Sequence, residues 1–249
     1  MSNLTFREFE SRAALVEALT LDCQQALQAG VDAKGRASFL VSGGSSPAPA
    51  YENLSNTDLP WDKIDVALVD ERWVDLDHAG SNEAFVNRTL LQNKAANANL
   101  IGMKNSANSA IEGLAECEHN FSKLTQPFDV TILGMGPDGH TASFFPHSQG
   151  LDTALNLDGD ALCAAIIADK SEVTGDNVER MTLSLAGLLK SRELKLLISG
   201  AEKLAVFREA EVSHVAGGTG SDVDSHVASM PVRAVIQQQQ VPVTVYWAP

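Results

Sequence analysis

Residues 128–146 read FDVTILGMGPDGHTASFFP, and no other stretch constrains the fold so much. Positions 128–133 form a β-branched, apolar run of strand length. The lack of alternation predicts a strand buried on both faces, as in a parallel sheet. The Gly/Pro/Asp cluster over 134–139 can only be a tight turn. His140 follows at once, at the carboxyl end of the predicted strand. In open α/β sheets ligands collect in the crevice outside those ends, so a titratable His there is well placed to act. A lone loop His more often bonds a backbone carbonyl, and the rest of the chain has to decide between the two.

Strands and helices alternate along the sequence. Strands are expected over 4–9, 37–41, 64–69, 99–103, 161–168, 194–198 and 243–247. Ser11 is placed to cap a helix whose Leu15, Leu19 and Leu27 share a face and which Gly30 closes. Ser46 as cap and Pro47 at the first helical position start a second helix. Further helices are expected from Ser81 over 83–91, from Ser106 or Ser109 to about Leu124, and over 182–190 and 201–210. Residues 231–236 fit strand or helix, and 215–229, rich in Gly, Ser and Asp, read as a mobile surface loop. No composition break marks a linker and no internal repeat is visible. The expectation is one α/β domain over 1–249: a largely parallel open sheet with helices on both faces, Rossmann-like in topology.

The formal net charge of −14 argues against nucleic-acid and anionic-membrane partners, both of which need clustered Lys and Arg. An anion can still bind, through local N–H groups and a few basic side chains. Cys23, Cys117 and Cys163 are widely spaced and odd in number, so they read as small buried hydrophobes without a disulfide framework. No secretory signal and no apolar run of about 18 residues is seen, which reads as a cytoplasmic protein. The oligomeric expectation is a monomer or small homo-oligomer.

Several clusters could carry chemistry. The turn at 42–46, SGGSS, lies between a strand and a helix start, where consecutive N–H groups and the helix dipole suit an anion. It also suits a plain tight connection, and it lacks the Gly-Lys-Ser/Thr ending of a Walker A loop. Residues 134–139 match GxGxxG, yet Pro146 would stop a following helix and Pro137 and Asp138 lie where a pyrophosphate would approach. No dinucleotide cofactor is expected. Asp70, Glu71 and Arg72 cluster at another strand end, either as a solvated turn or as part of a crevice shared with His140. Asp138 could orient the His140 imidazole or cap a helix. His140 and His147 are separated by Pro146, with no HExxH or Cys/His cluster, so no metal site is expected. No GxSxG elbow supports a serine nucleophile. Lys203 opens a helix, where a cation is mildly unfavourable, which hints at an anionic ligand.

These stretches together resemble the glucosamine-6-phosphate isomerase and 6-phosphogluconolactonase family, and within it the lactonases. The matching segments are VSGGSSP at 41–47, VDERW at 69–73, SNE at 81–83, ILGMGPDGHTASFFP at 132–146, RMT at 180–182 and SGAEK at 199–203. They fall in the family's order and cover most of the chain, and the long central motif is highly specific.

The resemblance implies a sugar 6-phosphate on Gly43, Gly44, Ser45 and Ser46, with Arg180 and Lys203 as basic partners and Asp70 among the substrate contacts. It implies His140 as the proton-transfer residue, oriented by Asp138, with Arg72 near the lactone. Isomerases of the family resemble Asp-Gly-His-Ile-Ala-Phe-Asn-Glu-Pro, with a Glu five residues after the His, and carry Asp-Glu-Tyr at the second strand end. Here those positions are Phe145 and Arg72, and a Phe cannot relay a proton. The implied activity is therefore hydrolysis of 6-phospho-D-glucono-1,5-lactone, a pentose phosphate pathway step, with no cofactor and no metal. The alternatives are a sugar-phosphate isomerase or deaminase and a non-catalytic phosphosugar-binding protein. The stretch 170–179 is longer and more acidic than the family pattern before Arg180.

Overall fold

The computed structural model describes residues 3–212 and 225–249. The ten strands of the described residues, numbered in chain order, form two sheets. The larger contains β1 (Leu4–Glu8), β2 (Ala37–Val41), β3 (Ile64–Leu68), β5 (Asn99–Ile101), β6 (Val130–Gly134), β9 (Leu194–Ser199) and β10 (Val243–Ala248). They lie in the order β1-β10-β9-β6-β2-β3-β5, every neighbouring pair parallel. As the apolar run predicts, β6 is central, and Val130, Thr131, Ile132 and Leu133 are all buried. The smaller sheet, antiparallel and in the order β4-β8-β7, is built from β4 (Asp70–Arg72), β7 (Cys163–Ile167) and β8 (Glu179–Leu183).

The helices are α1 (Arg12–Lys34), α2 (Ala48–Ser55), α3 (Asn82–Thr89), α4 (Ala110–Phe121), α5 (Leu151–Leu155), α6 (Leu185–Leu188), α7 (Gly200–Glu211), α8 (Ser225–Ser229) and α9 (Val232–Ile236). Three expected caps are present: the side chains of Ser11, Ser81 and Ser109 accept from the N–H groups of Ala14, Ala84 and Glu112. Buried Leu15, Leu19, Cys23 and Leu27 form the inward stripe of α1. All three cysteines are free and buried. Among the described residues, no helix is long and apolar enough to cross a membrane.

Several expectations need correction. Helix α1 does not stop at Gly30 but runs on to a left-handed cap at Gly35. Gly30 is needed for contact, since a Cβ there would stand 2.5 Å from the Asp129 carboxyl carbon. Pro47, not Ser46, is the cap position of α2, and no side chain caps it. The helix expected over 182–190 shrinks to α6, because Arg180, Met181 and Thr182 pair with β4 first. No helix lies between Gly139 and Pro146, in keeping with the stop expected at Pro146, so Asp138 caps none there. Residues 231–236 resolve into α9 behind Pro231. Of the expected loop over 215–229, residues 215–224 lie outside the described residues, and Ser225–Ser229 is helix α8.

The topology fixes where a ligand can sit. From β2 the chain crosses to β3 on one side, whereas from β6 it crosses to β9 on the other. The carboxyl ends of these four strands flank the point where the winding direction reverses, the usual crevice of such sheets.

Candidate active site

Four strand ends deliver the site. After β2 the chain makes the turn Ser42–Pro47, with Gly44 at φ +97°, a left-handed value that glycine adopts without strain. Among the described residues, no protein acceptor takes the N–H groups of Gly43, Gly44, Ser45 or Ser46. The Ser42 hydroxyl is also buried without a partner there. After β9 comes the first turn of α7, with Lys203 facing the same space. Burial lowers the Lys203 pKa against the raising influence of Glu202.

The turn after β6 is built around the imidazole. Gly136 N–H donates to the His140 carbonyl at 2.9 Å and Gly139 N–H to the Gly136 carbonyl at 3.1 Å. The Thr141 hydroxyl donates to the Gly134 carbonyl at 2.8 Å. A Cβ on Gly136 would lie 2.1 Å from His140 Nδ1, so the second glycine of the GxGxxG string makes room for the ring. Gly139, at φ +76°, takes the left-handed conformation that glycine adopts without strain. His140 Nδ1 and Asp138 Oδ1 are 2.5 Å apart. Burial raises the Asp138 carboxyl, but its bonds to His140 and the imidazole's charge outweigh this and hold it below the ordinary value. With Nδ1–H donated to the carboxylate, Nε2 carries the free lone pair. The His140 ring rests on Phe145, centroids 4.5 Å apart.

The end of β3 runs through Val69 into β4, and here the triplet at 70–72 joins the smaller sheet. Asp70, 8% exposed, accepts from the Ser143 hydroxyl at 2.7 Å and, through its carbonyl, from Asn82 Nδ2 at 2.8 Å. Arg72 and Arg180 are cross-strand partners in β4 and β8. Arg72 donates to the Gly80 carbonyl at 2.6 Å, and its Nε is buried without a partner among the described residues. Arg180, 3% exposed, donates to the carbonyls of Asn177 and Thr174 at 2.6 and 3.0 Å. Its guanidinium lies 5.4 Å from the Phe145 ring centroid. Burial, reinforced by the Arg72 charge, lowers its pKa to about 10.

A cleft of about 310 Å³ joins these pieces, at the small end of the 300–1,000 Å³ usual for small-molecule sites. Gly43, Gly44, Ser45, Ser46, Asp70, Arg72, His140, Arg180 and Lys203 all line it. Asp138 does not, and reaches the cleft only through His140. The sequence points to no role for Asn82 or Ser143, although Asn82 stands in the SNE segment, and Glu71, considered with its triplet as part of the crevice, is buried without lining it. The longer stretch at 170–179 also reaches the site, through Val173 at its wall and the Thr174 carbonyl on Arg180. Among the described residues, no three His, Cys, Asp or Glu side chains group as a metal site.

The arrangement brings together an imidazole oriented through Nδ1, two guanidiniums and an ammonium, and a turn of open N–H groups. Such a set can bind a phosphorylated small molecule and move a proton at an electrophilic carbon. Residues 10–247 match the family described as glucosamine-6-phosphate isomerases/6-phosphogluconolactonase. A 6-phosphogluconolactonase of Rhizobium meliloti is 37% identical over 241 residues, 97% of each chain. One from Pseudomonas aeruginosa is 37% identical over 96% of this chain and 92% of its own. The crystal structure of a 6-phosphogluconolactonase from Shewanella baltica superposes with a TM-score of 0.88, at 39% identity, covering 99% of this chain and 98% of that one.

Proposed function

The chain belongs to the glucosamine-6-phosphate isomerase and 6-phosphogluconolactonase family, and from that premise we propose that it hydrolyses 6-phospho-D-glucono-1,5-lactone to 6-phospho-D-gluconate, with His140 moving the proton. It is an enzyme of the lactonase type, and the reaction belongs to the pentose phosphate pathway.

The observation that carries the mechanism is the Asp138–His140 pair opening onto a cleft walled by two arginines. Neutral His140 takes a proton at Nε2 from a water that attacks C1 of the lactone. Negative charge grows on the carbonyl oxygen, and Arg72 stabilises it. The tetrahedral centre then collapses, the bond from C1 to the ring oxygen breaks, and the imidazolium returns its proton to that oxygen. Asp138 holds the tautomer and steadies the imidazolium in between. Acid–base assistance of this kind is worth roughly 10²–10⁴ in rate.

The phosphate is assigned to the open N–H groups of Gly43, Gly44, Ser45 and Ser46, with Lys203 and Arg180 as cations. Asp70, held by Ser143 and Asn82, faces the sugar hydroxyls as an acceptor. Phe145 separates this reading from isomerisation: at the position of the isomerase Glu it offers His140 an aromatic face and no proton relay. The test is turnover of freshly generated lactone above its spontaneous rate, with loss of that turnover in His140→Ala. Unchanged turnover in the variant rejects the mechanism.

A further inference from the structure

The triplet that ends β3 places Asp70 and Arg72 in the cleft and leaves Glu71 outside the reaction. Strand alternation turns it to the opposite face, where it is 0% exposed. Among the described residues no Lys, Arg or His pairs with it. Four donors surround it instead. Oε1 accepts from the N–H groups of Arg72 and Asn82, each at 2.7 Å. Oε2 accepts from the Glu83 N–H at 2.8 Å and the Ser81 hydroxyl at 3.1 Å. Asn82 and Glu83 are the first residues of α3, so the carboxylate also lies at the positive end of that helix.

A buried carboxylate bonded in this way usually serves the fold alone. Here one donor is the backbone N–H of Arg72, and another belongs to Asn82. The Asn82 side chain holds the Asp70 carbonyl and packs so closely on the anion turn that a Cβ at Gly43 would stand 2.0 Å from its Oδ1. One carboxylate thus keeps β4, the start of α3 and the glycine turn in register.

We propose that Glu71 is a positioning residue for the hydrolysis, fixing the backbone of Arg72 against the start of α3 so that the guanidinium meets the reacting carbonyl at a set distance. The inference rests on the lactonase reading of the site. An amide at this position would turn an NH2 group toward N–H donors that now find an acceptor, so Glu71→Gln breaks the arrangement with little change in volume.

The experiment starts with the wild-type chain, because no acceleration of lactone hydrolysis would reject the reading of the site before Glu71 enters. Given turnover, kcat and KM are measured for Glu71→Gln, Arg72→Ala and the double variant, with the folded fraction of each from circular dichroism. Glu71→Gln is expected to lower kcat per folded molecule by about tenfold or more while KM moves less than about threefold. In the Arg72→Ala background the same change should cost less than about twofold, since the two residues act as one unit. Multiplying costs, or a loss confined to the folded fraction, overturn the proposal. Should Glu71→Gln fail to fold, Ser81→Ala removes one of the four donors. It should lower kcat in the wild type and not in the Arg72→Ala background, and equal losses in both overturn the proposal.

Discussion

Arg72 and Arg180 stand opposite each other across the β4–β8 pair, with no carboxylate in ion-pair contact with either among the described residues. Like charges in that relation oppose the fold. Burial and the Arg72 charge lower the Arg180 pKa to about 10, a displacement on the order of 3 kcal/mol against the cation. Among the described residues these guanidiniums donate hydrogen bonds to backbone carbonyls, at Gly80, Asn177 and Thr174, and Arg180 also lies against the Phe145 ring. Under the proposed function, the phosphosugar brings its anionic charge to this pair.

Removing one of the two charges should separate stability from binding. Arg180→Gln is expected to move Tm by less than about 4 °C, because relief of repulsion offsets the lost carbonyl bonds. Its KM for the lactone should rise about tenfold or more, with the loss of a charge-assisted contact. The pH dependence has a definite sign. The folded pKa is lowered, so the cost to stability is fully present below about 10 and fades as pH rises toward the ordinary arginine value. Denaturant titrations of wild type and variant across that window should show the gain in the wild type alone.

Asp138→Asn tests the orientation of the imidazole. An amide can leave the ring in place but favours the wrong tautomer, so kcat should fall by roughly 10²–10⁴ with KM little changed. The carboxyl sits below its ordinary value in the folded chain, and its contribution to stability is present above the unfolded value and lost as pH falls through the folded one. Acid unfolding of the wild type should show that loss, and the variant should lack it.

Gly43→Ala tests the anion turn. The new methyl would stand 2.0 Å from Asn82 Oδ1, and Asn82 is pinned by its bond to the Asp70 carbonyl. The turn must open, so phosphosugar affinity should drop by at least about tenfold, with 1–3 kcal/mol of stability lost to overpacking. Titration with 6-phosphogluconate and a thermal melt report the two effects. Adding Asn82→Ala should restore part of the Tm.

Phe145→Glu would bring a carboxylate beside the guanidinium of Arg180, now 5.4 Å from the ring centroid, and beside His140. An internal ion pair would occupy Arg180 and compete with the substrate. The expected outcome is a raised KM for the lactone and no ammonia release from glucosamine 6-phosphate. Arg72 still occupies the place of the isomerase Tyr.

Much of this was legible because the long apolar strands declare themselves locally. The run at 128–133 could belong only in the middle of a parallel sheet, and the glycine turns and His140 follow from it by position. Of the smaller sheet only β7 was legible, since β4 has three residues, all charged, and reads as a turn until β8 pairs with it. The same pairing keeps residues 182 and 183 extended where the sequence suggested the start of a helix. Gly30 reads as a stop signal, and only the approach of Asp129 explains why the helix passes through it. Glu71 was hidden for a related reason. A carboxylate declares nothing about burial until the four donors around it have been brought there by other elements.

The most direct test of the account is hydrolysis of freshly generated 6-phosphoglucono-1,5-lactone by the wild-type chain and by His140→Ala, each corrected for spontaneous opening of the ring. The account predicts rapid turnover by the wild type. It predicts a loss of roughly 10²–10⁴ in the variant, with 6-phosphogluconate binding retained. Equal turnover by the two proteins, or no acceleration by either, would contradict it.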